Sequence, residues 1–104
     1  MYGRLVVIEG ADPSKREEAE GVIRDRVIPG MKEIDGFAGF IFLVDEANRR
    51  ARSVVLWETK EGAEEAERRF KAIREETVRG FGGTIASADL FEASVVEVLA
   101  GVHA

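Results

Sequence analysis

The sequence predicts a single α+β domain of ferredoxin-like topology, βαββαβ: a four-stranded antiparallel sheet with two helices on one face. Three observations lead there. Four short runs are rich in β-branched and aromatic residues. Two stretches with apolar residues three and four apart separate the first run from the second and the third from the fourth. Only a short polar turn joins the two middle runs, which makes them a hairpin. A chain of 104 residues has room for one core, expected over residues 1–98, with a short tail at 99–104.

The elements follow in order. Leu5-Val6-Val7-Ile8 marks a first strand from about Tyr2 to Glu9. Asp12-Pro13 opens a helix, because an Asp side chain accepts from the free amides of the first turn and proline suits the first helical position. Ala19, Ile23, Val27, Met31 and Ile34 form its apolar stripe. Pro29-Gly30 should kink it or split off a short second piece. Gly36 suits the left-handed position that closes it. Phe37 to Val44 is apolar at every position, so both faces of the second strand must be covered. Asp45 to Arg50 is the polar turn, and Arg52 to Glu58 is the third strand. Thr59 caps a second helix with a stripe of Ala63, Ala66, Phe70, Ile73 and Thr77. Its outer face pairs Glu64 with Arg68, Glu65 with Arg69, Glu67 with Lys71 and Glu75 with Arg79, which reads as a solvated surface. Gly80-Phe81-Gly82-Gly83 ends that helix; it lacks the spacing and preceding strand of a phosphate-binding loop. The last strand runs from Ala86 to about Val98.

A faint internal repeat accompanies this order. Glu17-Glu18-Ala19-Glu20 recurs as Glu64-Glu65-Ala66-Glu67, and Gly36-Phe37-Ala38-Gly39 as Gly80-Phe81-Gly82-Gly83.

Composition removes several function classes. A net charge of −5, with basic residues interleaved among acids, argues against a nucleic-acid partner. No segment is apolar for long enough to span a membrane, and Met1-Tyr2-Gly3-Arg4 runs straight into a strand without a leader pattern. There is no cysteine, so disulfide and thiolate chemistry are absent and a reducing, cytoplasmic setting is compatible. His103 is the single histidine and stands near the chain end, so no metal site is expected.

The sheet face away from the helices should be polar in a monomer. Here strand two is apolar on both alternating sets, and strand three offers Val54 and Leu56 on one side and Val55 and Trp57 on the other. Such a patch exceeds what a soluble monomer normally shows, and face-to-face packing of two sheets in a symmetric homodimer would bury it.

Three segments carry a family resemblance: Ile34-Asp35-Gly36-Phe37-Ala38-Gly39, Val54-Val55-Leu56-Trp57-Glu58-Thr59, and the Ala- and Glu-rich helix from Lys60. From Met1 to about Val98 the chain resembles the antibiotic biosynthesis monooxygenase-type domain, a dimeric α/β barrel. The resemblance implies a homodimer with a small-molecule cavity in each half, set between the sheet and the partner.

Trp57, at the end of strand three, is the leading site candidate. Its likeness in the family often lines the pocket, where an indole can stack on an aromatic ligand and donate through N–H; the structural alternative is filler of the dimer core. Arg4 should face away from the helices, along with Val6 and Ile8, and Glu92 likewise with Leu90 and Ser94. The two charges can then pair across neighbouring strands, as a functional pair or as a rim salt bridge. Tyr2 offers a phenol at the same mouth or sits at the sheet edge, and Ser53 offers a hydroxyl. Arg52 and Glu58 read as exposed strand ends on the face of Leu56.

The resemblance implies three activities. The first is cofactor-independent oxygenation of a small aromatic, phenolic substrate, for which Trp57, Arg4, Tyr2 and Ser53 are the available donors. The second, heme degradation, uses an asparagine, a tryptophan and a histidine together; here the second helix has no histidine and Asn48 is in the hairpin turn. The third is a non-catalytic, dimeric small-molecule-binding or stress-associated module. The sequence favours the first, with the third as its alternative, and with no cofactor expected.

Overall fold

The computed structural model describes residues 1–99; His103 and the rest of the tail lie outside the described residues. The strands are β1 (Tyr2–Glu9), β2 (Phe37–Asp45), β3 (Arg50–Trp57) and β4 (Thr84–Glu92). They form one antiparallel sheet in the order β2-β3-β1-β4. The helices are α1 (Arg16–Val22), α2 (Ile28–Met31) and α3 (Lys60–Gly80). The βαββαβ expectation therefore holds, with β1 and β3 as the inner strands. Among the described residues no helix is long and apolar enough to cross a membrane.

Local chemistry sets the boundaries. Asp12 Oδ1 accepts from the Ser14 backbone N–H at 3.0 Å, opening a short 3₁₀ turn, Pro13–Lys15, ahead of α1. The kink foreseen at Pro29 takes a definite form: between α1 and α2 the ribbon widens into a π turn, Ile23–Val27, in which the Ile28 N–H reaches back to the Ile23 carbonyl. A proline inside a helix supplies no donor and crowds the carbonyl four residues back, and a wider turn ahead of it relieves that crowding. Gly36 takes φ +92°, open to a residue without a side chain, and its carbonyl accepts from the Glu58 N–H at 2.7 Å. Thr59 Oγ1 accepts from the Gly62 N–H at 3.1 Å and caps α3. At the far end the Gly83 N–H returns to the Val78 carbonyl at 3.0 Å.

β4 is shorter than the sequence suggests. Glu92 pairs with Tyr2, where β1 begins, so the chain beyond has no strand left to pair with; the Ala93 N–H closes the ladder on the Met1 carbonyl at 2.8 Å.

Register and alternation sort the side chains into two faces. Phe40, Val55, Arg4 and Leu90 lie in one row; Phe42, Ser53, Val6 and Ala88 form the next; Val44, Ala51 and Ile8 follow. This is the helix face. It holds a cluster of Ile34, Val55, Trp57, Ala63 and Ala66 and a second of Val6, Ile8 and Ala51. The other set is Ile41, Leu43, Leu5, Val7, Val54, Leu56 and Phe91, with no helix over it. The two sets of strand two, which the sequence leaves unassigned, are thereby placed. Arg4, Val6 and Ile8 face the helices, not away from them, because Val6 and Ile8 are core residues under α3 and β-strand alternation carries Arg4 with them.

Candidate active site

Between the helix face and the helices lies a cavity of about 140 Å³. Its floor is the sheet, through Arg4, Val6, Phe40, Phe42, Ser53, Val55 and Trp57. One wall is the first helical ribbon, through Ala19, Ile23, Val27 and Met31, so two residues of the π turn look onto it. The other wall is α3, through Ala63, Ala66, Glu67, Phe70, Arg74 and Thr77. Ala19 and Ala66 occupy equivalent places in the Glu-Glu-Ala-Glu repeat, and both line the cavity.

Trp57 is 1% exposed within the single chain. It meets Phe37 edge to face, centroids 5.6 Å apart. A cavity between two sheets of a dimer cannot include it, since it points to the helix side; the expected cavity between sheet and partner is replaced, for this residue, by one inside the chain. Filling a dimer core is excluded for the same reason.

Arg4 does not pair with Glu92. Its Nε sits 3.3 Å from Glu67 Oε2 on α3, and its Nη1 donates to the Ala88 carbonyl at 3.3 Å. An arginine facing the helices is tolerated because a carboxylate and a carbonyl meet it there. Leu90 and Glu92 stand opposite Arg4 and Tyr2 and so turn to the helix side, not away from it; Glu92 is exposed at the strand end, and neither it nor Tyr2 lines the cavity. Ser53 is buried and lines it. On the open face Arg52 is half-buried and donates to Glu9 at 3.2 Å, while Glu58 is exposed. Asn48 is held in the hairpin turn, donating to Asp45 at 2.9 Å.

Two residues of the polar corner were not anticipated. Glu67, expected on the solvated face with Lys71, turns inward; Arg74 donates to its two oxygens at 2.7 and 3.0 Å. This bidentate bond holds the Glu67 carboxyl below its ordinary range, against the opposing effect of burial, with Arg4 adding to the lowering. The signal was present in the spacing. Glu67 and Arg74 are seven residues apart, two helical turns, and flank Phe70 on the apolar stripe. Among the described residues no group of three His, Cys, Asp or Glu side chains converges as a metal site would require.

No protein-family model matches the chain. Two uncharacterised proteins of Mycobacterium tuberculosis are similar in sequence, one 33% identical over 84 residues and one 34% identical over 62. The chain spans about a third of the length of these curated relatives: the alignments cover 81% and 60% of this chain but 35% and 28% of theirs. Among solved structures, a Streptomyces coelicolor monooxygenase in complex with nanaomycin D superposes with TM-score 0.70 at 12% identity, over 95% of this chain and 92% of that one. A cofactor-independent oxygenase from Streptomyces nogalater gives 0.67 at 13% identity, over 91% and 94%. A Bordetella bronchiseptica protein classed with the antibiotic biosynthesis monooxygenases gives 0.57 at 22% identity, over 91% and 98%. The chain has the antibiotic biosynthesis monooxygenase-type fold.

Proposed function

We propose that the chain is a cofactor-independent monooxygenase-like protein that takes a small phenol into the cavity between its sheet and its helices. The observation that carries this is a mostly apolar cavity of about 140 Å³ with a guanidinium corner, in a fold shared with oxygenases. A cavity of roughly 150 Å³ admits a benzene-sized guest.

In this reading Arg4 and Arg74 stabilise the phenolate, as preorganised donors do for developing oxyanions in a dry site. Glu67, with both oxygens engaged by Arg74, is a weak base. Electrostatic lowering of the phenol's own pKa, and not proton abstraction by a carboxylate, therefore drives ionisation. The phenolate passes an electron to dioxygen, the two recombine at the para carbon, and a proton completes the hydroperoxide. Loss of water then leaves a quinone: one oxygen atom stays as the new carbonyl and the other departs in the water. Trp57 and Phe70 hold the ring, and the apolar walls keep bulk water from the intermediates.

The second reading is a binding module with the same cavity and no turnover; the engagement of Glu67 by Arg74 favours it. Oxygen-electrode recordings with a panel of single-ring phenols and quinols separate the two. Substrate-dependent oxygen uptake, with quinone formed mole for mole, supports the oxygenase. Saturable binding without uptake leaves the binding module.

We also propose that two copies pair through the open sheet face in a cytoplasmic homodimer. Leu43 is 53% and Phe91 54% exposed there, beside half-buried Leu5, Val54 and Leu56. Isolated apolar residues at a surface are normal, but a contiguous face of them marks an interface.

A further inference from the structure

The charged residues that line the cavity are Arg4, Glu67 and Arg74, two guanidiniums against one carboxylate. The corner therefore carries an excess of one positive charge in an otherwise uncharged cavity. Both arginines are largely withdrawn from water, their side chains 14% and 19% exposed. Glu67 serves the two unequally. Its two oxygens take the Nη groups of Arg74, and Arg4 approaches it only through Nε at 3.3 Å. The Arg74 Nε is buried and has no hydrogen-bond partner among the described residues. Two sequestered guanidiniums that share one carboxylate, and a buried donor without an acceptor, are both costly.

From this corner, and resting on the reading of the cavity given above, we infer that the ligand is a single-ring aromatic monoanion, an arylcarboxylate or an ionised phenol, whose charged group meets Arg4 and Arg74. The volume matches one ring. Arg4 and Glu67 also line an open groove on the outer surface with Glu64, Arg68, Lys71 and Glu75, so the Arg4–Glu67 pair is the partition between solvent and cavity. An anion that reaches the corner takes the place of Glu67 as the partner of Arg4.

Isothermal titration calorimetry at neutral pH tests this with benzoate and pentafluorophenolate as anions, and with benzamide and phenol as neutral rings of like size. The expected result is binding of at least one anion about tenfold or more tighter than its neutral counterpart. Preference for pentafluorophenolate alone assigns the phenolate form, and preference for benzoate alone the carboxylate. Arg74→Gln should remove the preference, and Glu67→Gln should strengthen anion binding, because it raises the excess positive charge; circular dichroism checks that each variant is folded. Saturable but equal binding of anions and neutral rings overturns the charge preference and leaves the cavity reading standing. No binding of any of the four overturns both. The wild-type comparison decides between these even where a variant fails to fold.

Discussion

The two faces of the sheet are built from similar residues and differ in what covers them. On the helix face Val6, Val55 and Trp57 are sealed by α3 and the first helical ribbon. On the open face Ile41, Leu43 and Phe91 stand exposed. The helix face also carries the cavity and its charged corner, whereas the open face presents exposed apolar area. Apolar content alone does not say which side of a strand holds a site. The answer depends on which set the helices cover.

Substitutions should therefore separate the faces. Trp57→Ala removes a fully buried side chain and should cost ~3–5 kcal/mol in urea unfolding followed by circular dichroism. Phe91→Ala, on the open face, should cost ~0.5 kcal/mol or less in a dissociated chain. Gly62→Ala is the next largest. A Cβ there would lie 2.7 Å from the Asp35 carbonyl oxygen and 3.3 Å from the Trp57 ring, so the junction of α3 with the sheet must shift, at ~1–3 kcal/mol. Thr59→Ala deletes the cap of α3 and should cost ~1 kcal/mol, with Thr59→Asp restoring most of it.

The Glu67 corner adds a pH signature of its own. A carboxylate whose pKa is lowered by folding adds stability above its unfolded value, and that contribution is lost as pH falls through the folded value. Wild type should therefore exceed Glu67→Gln in stability at neutral pH. The gap should start to close below about pH 4.5. A pH-independent gap in urea midpoints would remove the ion pair from the account.

Much of this arrangement is legible in the sequence. Thr59, Asp12 and Gly36 set element ends through local chemistry that acts over a few residues, and each does so in the structure. The stripe of Ala63, Ala66, Phe70, Ile73 and Thr77 faces the cavity as its spacing requires. What failed was the side to which β1 turns. A charged Arg4 suggested the uncovered face, yet Val6 and Ile8 share its alternation and are the stronger determinants, each losing its exposed surface to the core. The partner that makes Arg4 acceptable, Glu67, is 63 positions away along the chain, and a pattern of neighbours cannot reveal it. Local i,i+4 reasoning assigned Glu67 to Lys71, whereas Arg4 and Arg74 reach it from inside.

The most direct test of the division between the faces uses Trp57, the chain's single tryptophan, as its own reporter. Its fluorescence is titrated with a single-ring phenol in the wild type and in the open-face variant Ile41→Asp, with the mass of each measured by sedimentation. The account predicts saturable quenching with the same midpoint in both, while the variant sediments as the lighter species. Loss of quenching in a folded Ile41→Asp chain would place the ligand at the partner interface and contradict a cavity that belongs to one chain.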